Sequence, residues 1–233
     1  MQKLLPILLA LVFFLAAIGN FPDGAIASLV CVLTVLAWVW IIKYNCEDKK
    51  QLSFLISLFL GAVLVRVLYS TIAYYFDFWL YVAGDAETYN GFGNILANYL
   101  HGEGVLDEFT KNRFFNLYGS GWGMFWFVGL FYYVVGQNPM AGNFFTLVFG
   151  AAAAPFTYFC AKELFNNSKV AKYSALLVAF FPGFINWSSF MMKDGLIILL
   201  LVVGIYSILQ LQKKFSAGHV VSLLIVFIWN ACT

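Results

Sequence analysis

The sequence predicts an all-α fold: a polytopic transmembrane helix bundle of about seven to eight spans, with an amphipathic outer loop after the third span. Three observations lead to this prediction. Hydrophobic residues make up 63% of the chain and charged residues only 10%, whereas soluble domains are roughly half apolar and about a quarter charged. Aromatic residues reach 20%, which suits a bundle with aromatic belts at the membrane surfaces. Apolar runs recur along the chain, and several approach the roughly 20 residues that a membrane-crossing helix needs.

The apolar segments can be followed in order. The first comes after Lys3 and could be a signal peptide, but further spans follow at once. The second is entered through a turn that contains Pro22, and the third carries Arg66 near its middle. Pro182-Gly183 is expected to kink the sixth. The candidate segments are residues 4–18, 25–44, 52–76, 122–135, 141–159, 170–190, 195–211 and 220–229.

The last segment is still apolar where the sequence stops at Thr233. Carbonyl groups at the end of an unfinished span would lack partners in lipid. We therefore expect residues 1–233 to be a single transmembrane domain that forms the N-terminal part of a longer protein.

Positive charges indicate the orientation of the first three spans. Lys3 precedes the first, and Lys43, Lys49 and Lys50 surround the connection between the second and third. The positive-inside rule places these lysines in the cytoplasm and residues 77–121 outside, most simply across a bacterial cytoplasmic membrane. Later lysines fall inside only if one segment does not cross, and residues 122–135 are the weakest candidate. The later lysines in question are Lys162, Lys169, Lys172, Lys213 and Lys214.

Composition also excludes several functions. The net charge is +2 without a basic cluster, so nucleic acid is not an expected partner. The four cysteines show no CxxC spacing, and His101 and His219 have no histidine or cysteine partner at helical spacing. No cofactor is expected. A divalent ion could bind Asp85 and Glu87, but two acids two positions apart are too few donors to predict a metal site.

The acids are concentrated in the outer loop, where six of the eleven lie between residues 77 and 108. Residues 84–100 have the spacing of an amphipathic helix, with Asp85, Tyr89, Phe92 and Leu96 on one face. We expect this helix to lie at the membrane surface and to end at the glycines 102 and 104. Asp85 at its N-terminus is either a helix cap, favoured by the helix dipole, or a general base beside a reacting hydroxyl.

Three groups of residues, in this order, resemble the N-terminal module of the GT-C glycosyltransferases that use lipid-linked sugars, such as protein O-mannosyltransferases and aminoarabinose transferases. The resemblance covers residues 52–211. The first group is Asp85-Ala-Glu87-Thr-Tyr89, followed by Ala97 and Gly102. The second is Tyr118-Gly-Ser-Gly-Trp122 with Gly136-Gln-Asn-Pro139. The third runs from Asn143 through Tyr158 and Lys162 to Phe165, then Phe181-Pro182, Ser188-Ser189 and Lys193-Asp194.

The resemblance implies a GT-C-like fold in which Asp85 is the catalytic carboxylate. Many relatives have two adjacent acids there, whereas this chain has Asp-Ala-Glu, so the role of Glu87 is less defined. The sugar would come from a polyprenyl-phosphate donor and go, with inversion, to an acceptor hydroxyl on a protein, lipid or glycan. Besides the donor, the acceptor and membrane lipids, no partner is implied.

Six further residues are candidates for binding the substrate. Tyr89 belongs to the same motif as Asp85. The basic pair in the outer loop could neutralise the leaving phosphate or anchor the loop at lipid head groups. Arg66 is costly to bury in a span and either pairs structurally or serves the site. Lys193 and Asp194, before the seventh span, lie either in an ordinary loop or in the site. The candidates are Tyr89, Lys111, Arg113, Arg66, Lys193 and Asp194.

Two other functions fit the composition. A multi-pass transporter or channel would use Asp85, Glu87 and Arg66 as an ion path, but the repeats that many transporters contain are not visible in this sequence. An assembly protein, such as a polysaccharide polymerase or a scaffold, is the third possibility. Polymerases of that kind depend on arginines in their outer loops, and residues 77–121 contain only Arg113.

Overall fold

The computed structural model describes residues 4–46, 48–76, 84–115 and 121–232, and these residues form α-helices and no strand. The prediction of an all-α membrane bundle is confirmed. Parts of the predicted outer loop, including Tyr118 of the second motif, lie outside the described residues. The helices are α1 Leu4–Gly19, α2 Asp23–Tyr44, α3 Lys49–Tyr75, α4 Gly84–His101, α5 Glu108–Phe115, α6 Trp122–Val135, α7 Pro139–Phe165, α8 Ser168–Phe180, α9 Pro182–Ser188, α10 Lys193–Lys213 and α11 Ala217–Cys232.

The predicted count of seven to eight spans is not confirmed. Among the described residues, four helices (α2, α3, α7 and α10) are long and apolar enough to cross a membrane. Helices α8 and α9 together make a fifth if the pair is one span, bent by 54° at Pro182, as the proline predicted. Helices α1, α6 and α11 are apolar but have 16, 14 and 16 residues, fewer than the roughly 20 that the hydrocarbon core requires.

Short polar side chains start the long helices. Asp48 accepts a hydrogen bond from the backbone N–H of Lys50 at 2.9 Å and caps α3. Asn138 accepts from the N–H of Ala141 at 2.8 Å and caps α7. The end of α4 is also determined by a neighbouring residue. Gly102, directly after the helix, has a φ of +80°, which glycine adopts without strain. The stops predicted at the glycines of this loop are therefore confirmed.

Helix α7 is the centre of the bundle. Helices α2, α3, α8 and α10 pack around it. Of the residues in its 18-residue apolar stretch, 83% are buried. Its small residues 150–154 let these neighbours approach closely, and the four alanines among them are completely buried. Helix α7 is therefore the scaffold from which the surrounding helices are positioned.

Hydrogen bonds near the two ends of α7 show how this helix is oriented relative to its neighbours. Asn138, before α7, donates to the carbonyl of Asp23 at 2.9 Å, whereas Lys162, near the end of α7, donates to Gln51 at 2.7 Å. Helix α7 is therefore antiparallel to α3, and the segment from α4 to α6 leaves and returns at the same end. We call the end that contains α4 the acidic end and the opposite end, near Lys162, the basic end.

This topology resolves the conflict over the later lysines. Because α6 makes no net crossing between α3 and α7, the lysines after it return to the end that also contains Lys43. Lys213 at the end of α10 pairs with Glu163 of α7, and Lys172 lies over the ring of Phe54 in α3, 5.4 Å from its centroid. The five later lysines named above are therefore gathered at the basic end.

Helix α4 packs against α6 through two glycines. A Cβ atom on Gly93 would overlap the side chain of Val128, and one on Gly129 would lie 2.6 Å from Cδ2 of Leu96. The predicted apolar face placed Asp85 with Tyr89, but Ala86 is buried there and Asp85 is exposed. A small apolar side chain fits the packed surface, whereas a carboxylate keeps its hydration in water.

This contact makes a direct prediction. Gly93→Ala is expected to destabilise the protein by about 1–3 kcal/mol because the added methyl group overpacks the α4–α6 contact. Gly91→Ala, two residues away, meets nothing within 4 Å and is expected to stabilise α4 by about 0.5–1 kcal/mol. Thermal unfolding in detergent measures both. Equal effects of the two variants would contradict the packing described here.

Candidate active site

The first turn of α4 carries two exposed carboxylates. Asp85 and Glu87 are exposed, and between them Ala86 is buried against Ala73 of α3 and the segment that precedes α10. This contact fixes the start of α4 against the rest of the bundle. The N-terminal end of a helix stabilises the ionised form of nearby acids. Two negative side chains are therefore held at a firmly packed helix start.

Tyr89 lies one turn further along α4 and is 6% exposed. Its ring packs on Phe125 of α6, with centroids 5.6 Å apart, and a Cβ atom on Gly121 would lie 3.2 Å from its hydroxyl. Burial and the negative charges of Asp85 and Asp194 raise the pKa of the phenol to about 12. The two carboxylates, which come from different helices, therefore act on the same hydroxyl group.

Asp194 reaches this position because α7 holds the segment before α10. Thr146 donates from its hydroxyl to the carbonyl of Phe190 at 3.1 Å, and the N–H of Met191 donates to Asn143 at 2.9 Å. Both α7 side chains are buried. These two hydrogen bonds fix where α10 begins, and so where the half-buried pair Lys193 and Asp194 stands.

Arg66 is completely buried and braces the break between α8 and α9. Its Nε donates to the hydroxyl of Ser188 at 2.8 Å, and its Nη1 donates to the carbonyl of Ala179 at 3.0 Å. The guanidinium carbon lies 5.1 Å from the ring centroid of Phe184, and among the described residues Nη2 has no hydrogen-bond partner. Every described partner of Arg66 is thus part of the protein itself.

Ser188 in turn is packed between two glycines. A Cβ atom on Gly150 of α7 would lie 2.5 Å from the Cβ of Ser188, and one on Gly195 of α10 would lie 3.1 Å from it. Only glycine allows the three helices to meet this closely. The hydrogen bond from Arg66 therefore ends at the point where α7, α9 and α10 are in contact.

The basic pair of the outer loop lies on α5. Lys111 is exposed, whereas Arg113 is partly buried and its guanidinium carbon lies 4.9–5.7 Å from the ring centroids of Phe92, Phe109 and Phe125. Such cation–π contacts tie α5 to α4 and α6. Since Phe125 also contacts Tyr89, Arg113 is one aromatic ring away from Tyr89.

An apolar groove leads away from Asp194. It has a volume of about 760 Å³ and lies between α8, α9 and α10. The bend at Pro182 turns α9 away from α8 and opens this space. The lining residues are Leu177, Val178, Phe181, Gly183, Phe184, Trp187, Asp194 and Ile198.

Metal ligands are not grouped in the part of the chain that the structure describes. Within those residues, no three His, Cys, Asp or Glu side chains form a group that could hold an ion. Cys31, Cys46 and Cys160 are buried singly as free thiols.

The sequence alone missed the pair Asn143 and Thr146. Both are polar and buried in an otherwise apolar span, a combination that marks functional or structural hydrogen bonding inside membranes. That signal was present in the sequence, but its meaning depends on the segment 189–192, which lies more than 40 positions further along the chain.

Comparison with known proteins adds one finding. A family model described as dolichyl-phosphate-mannose-protein mannosyltransferase matches residues 89–233, which is more than half of the chain. The match includes Tyr89, Arg113 and Asp194 and begins just after Asp85 and Glu87. No curated protein and no solved structure matches the chain.

Proposed function

The chain belongs to the dolichyl-phosphate-mannose-protein mannosyltransferase family, and from that membership we propose that it transfers a sugar from a polyprenyl-phosphate donor to an acceptor hydroxyl, with Asp85 as general base. As a family member it is a membrane glycosyltransferase of the class that uses a lipid-linked sugar. The observation that carries the residue assignment is the packing of Ala86 against Phe190 and Met192, which brings the start of α4, with Asp85, against the start of α10, with Asp194.

In this mechanism Asp85 takes the proton from the acceptor hydroxyl. The acceptor oxygen forms a bond to the anomeric carbon while the bond from that carbon to the phosphate oxygen breaks, so the configuration inverts. Polyprenyl phosphate leaves with the bonding electrons. Asp85 suits the role because its carboxylate is exposed to an incoming acceptor and lies in the first turn of a helix. Glu87, exposed in the same turn, accepts a hydrogen bond from another N–H or O–H group of the acceptor.

Tyr89 remains protonated throughout. With a pKa of about 12, its phenol is neutral at physiological pH and can donate a hydrogen bond. The charges of Asp85 and Asp194 act on this hydroxyl, so in this proposal it donates a hydrogen bond to one of these carboxylates or to a hydroxyl of the sugar. We assign Tyr89 and Asp194 to binding the sugar rather than to proton transfer.

The leaving phosphate needs positive charge. Lys193 stands beside Asp194 at the start of α10, where backbone N–H groups also favour an anion, and the N-cap residue Met192 supplies no side-chain cap. Lys111 on α5 is exposed, and Arg113 adds a cation held in place by aromatic rings. In this proposal Lys193 is the main contact and the loop cations are secondary.

Arg66 serves the site from a distance. It is buried against Ser188 and Ala179, so it holds the break between α8 and α9 rather than the substrate. The break and the two hydrogen bonds from α7 then set the start of α10. Arg66 is therefore a positioning residue for Lys193 and Asp194.

The groove beside Asp194 suits the polyprenyl chain. Its lining is aliphatic and aromatic apart from Asp194 at its mouth, so a donor whose sugar lies at Asp85 can leave its chain between α8 and α10. By the positive-inside rule, the lysines at the basic end support an outer position for the acidic end. A bacterial cytoplasmic membrane fits this arrangement.

Transfer itself tests the proposed function. The full-length protein in liposomes, supplied with a polyprenyl phosphate carrying radiolabelled mannose and with a hydroxyl-bearing peptide, is expected to move label from the lipid to the peptide. Retention of all label on the lipid, with peptides, glycans and lipid acceptors each supplied in turn, would contradict it.

The groove makes a separate prediction. Ile198→Trp is expected to raise the KM for a long-chain donor about tenfold, because displacing roughly two methylene groups from the groove costs about 1.6 kcal/mol. Ile205→Trp is the matched control, since Ile205 is on the same helix but 49% exposed. Steady-state kinetics with donors of long and short chains measures the effect. An unchanged KM for the long-chain donor would place the polyprenyl chain elsewhere.

A further inference from the structure

Helix α10 separates two apolar grooves. The first is the one beside Asp194. The second has a volume of about 450 Å³ and lies between α2, α6, α7, α10 and α11. Trp38, Phe156, Leu199 and Val203 line its middle, and Tyr206 lines it towards the basic end. Its walls are suited to a hydrocarbon chain rather than to a polar substrate.

The second groove opens into polar space at the basic end. Asn45 and Tyr206 line both the groove and a polar cavity of about 440 Å³, which also contains Asp48 and Lys162. His219 lines both the groove and a further cavity of about 390 Å³, which contains Lys214. The groove therefore shares walls with both cavities. We call the groove the apolar slot and the two cavities together the polar chamber.

The charged residues that line the two polar cavities are Lys162, Lys214, Asp48 and Glu163. Glu163 is neutralised by its ion pair with Lys213. That leaves Lys162 and Lys214 against Asp48, an excess of one positive charge. The imidazole of His219, whose ring lies 5.8 Å from that of Tyr206, adds hydrogen-bonding capacity where the slot meets the chamber. An anionic head group would be favoured here.

The position of the chamber excludes the sugar donor as its occupant. Gln210, which lines both polar cavities, is near the opposite end of α10 from Asp194, roughly 24 Å away at the rise of an α-helix. A sugar carried by a lipid in the chamber could not reach Asp85. The occupant must be a lipid of the leaflet at the basic end.

We infer that this space is a binding site for a membrane glycerophospholipid. One acyl chain fills the slot between α2 and α10, and the phosphodiester contacts Lys214, Lys162 and His219. The apolar slot, the excess positive charge and the distance from Asp194 each support this occupant over the donor. The bound lipid packs against both α11 and the helices that line the other side of the slot. The exclusion of the donor rests on the proposed function, in which the sugar lies at Asp85, whereas the shape and charge of the space do not.

Lipid retention and thermal stability test the site. Native mass spectrometry of the detergent-purified protein is expected to show bound phospholipid, and mixed micelles containing phosphatidylglycerol are expected to raise the Tm of delipidated protein. For Lys214→Glu, the phosphatidylglycerol concentration needed for the same rise in Tm is expected to be about tenfold higher. Lys169→Glu is the matched control, because Lys169 is also exposed near the basic end but lines none of these three spaces.

The apolar slot has its own test. Val203→Trp is expected to abolish phospholipid retention, and Ile205→Trp to leave it unchanged. Because Lys214 is exposed, its variant folds even if Val203→Trp does not, so the inference can still be decided. Four results would overturn it. Three of them are no phospholipid on the wild-type protein, equal stabilisation by uncharged diacylglycerol, and equal retention by Lys214→Glu and Lys169→Glu. Displacement of the phospholipid by polyprenyl phosphate would also overturn it, because the space would then belong to the donor.

Discussion

Asp85→Asn is expected to lower the rate of sugar transfer by roughly 10²- to 10⁴-fold, the contribution typical of a general base. The amide has nearly the shape of the carboxylate, so donor binding and folding should change little. It cannot accept the proton of the acceptor hydroxyl at neutral pH. The loss should therefore appear in kcat rather than in the KM for the donor.

The matched control for this variant is Glu87→Gln. Glu87 is exposed in the same helical turn and carries the same charge, so a loss caused only by weaker electrostatics at the start of α4 would affect both variants equally. We expect Glu87→Gln to reduce transfer by about tenfold at most, as for one supporting hydrogen bond. Transfer by Asp85→Asn within a few-fold of wild type would remove Asp85 from the mechanism, and equal losses in the two variants would assign the effect to charge alone.

Local features of the sequence were sufficient to predict the helices. Apolar runs, glycines and prolines act within a few residues, so the ends of α4 and the break at Pro182 were predictable. The count of spans was not, because a short apolar helix such as α6 looks like a span until its neighbours are known. Its packing on α4 through Gly93 and Gly129 depends on two segments that are distant in sequence.

Only part of the candidate site could be predicted from the sequence. The acidic motif could be found because acids are scarce in this chain and cluster in one loop. That Asp194 stands near Tyr89 could not be found, since it depends on Asn143 and Thr146 holding a segment that is distant along the chain. Arg66 was expected either to pair with an acid or to face a cavity. Its described partners are instead a hydroxyl and carbonyls, which a sequence pattern does not reveal.

Arg66→Ala is the second variant with a large expected effect. It removes the hydrogen bonds to Ser188 and Ala179 and leaves a cavity where the largest fully buried side chain stood. We expect a loss of about 3 kcal/mol in the free energy of unfolding. We also expect transfer to fall by about 10- to 100-fold, because small displacements of positioned groups are costly. Thermal unfolding in detergent and the transfer assay measure the two effects.

Arg66→Met separates positioning from stability. Methionine fills much of the same volume without a buried charge, and such replacements are often neutral or stabilising. If Arg66 positions the start of α10 through Ser188, Arg66→Met should unfold near the wild-type temperature and still transfer sugar slowly, with a raised KM for the donor. Tyr69→Phe is the control, since it removes only the 2.6 Å hydrogen bond from Tyr69 to Asn186 of the same short helix α9 and should cost less than tenfold in rate. Full activity of Arg66→Met would show that the buried arginine serves the packing of the bundle and not the placement of Lys193 and Asp194.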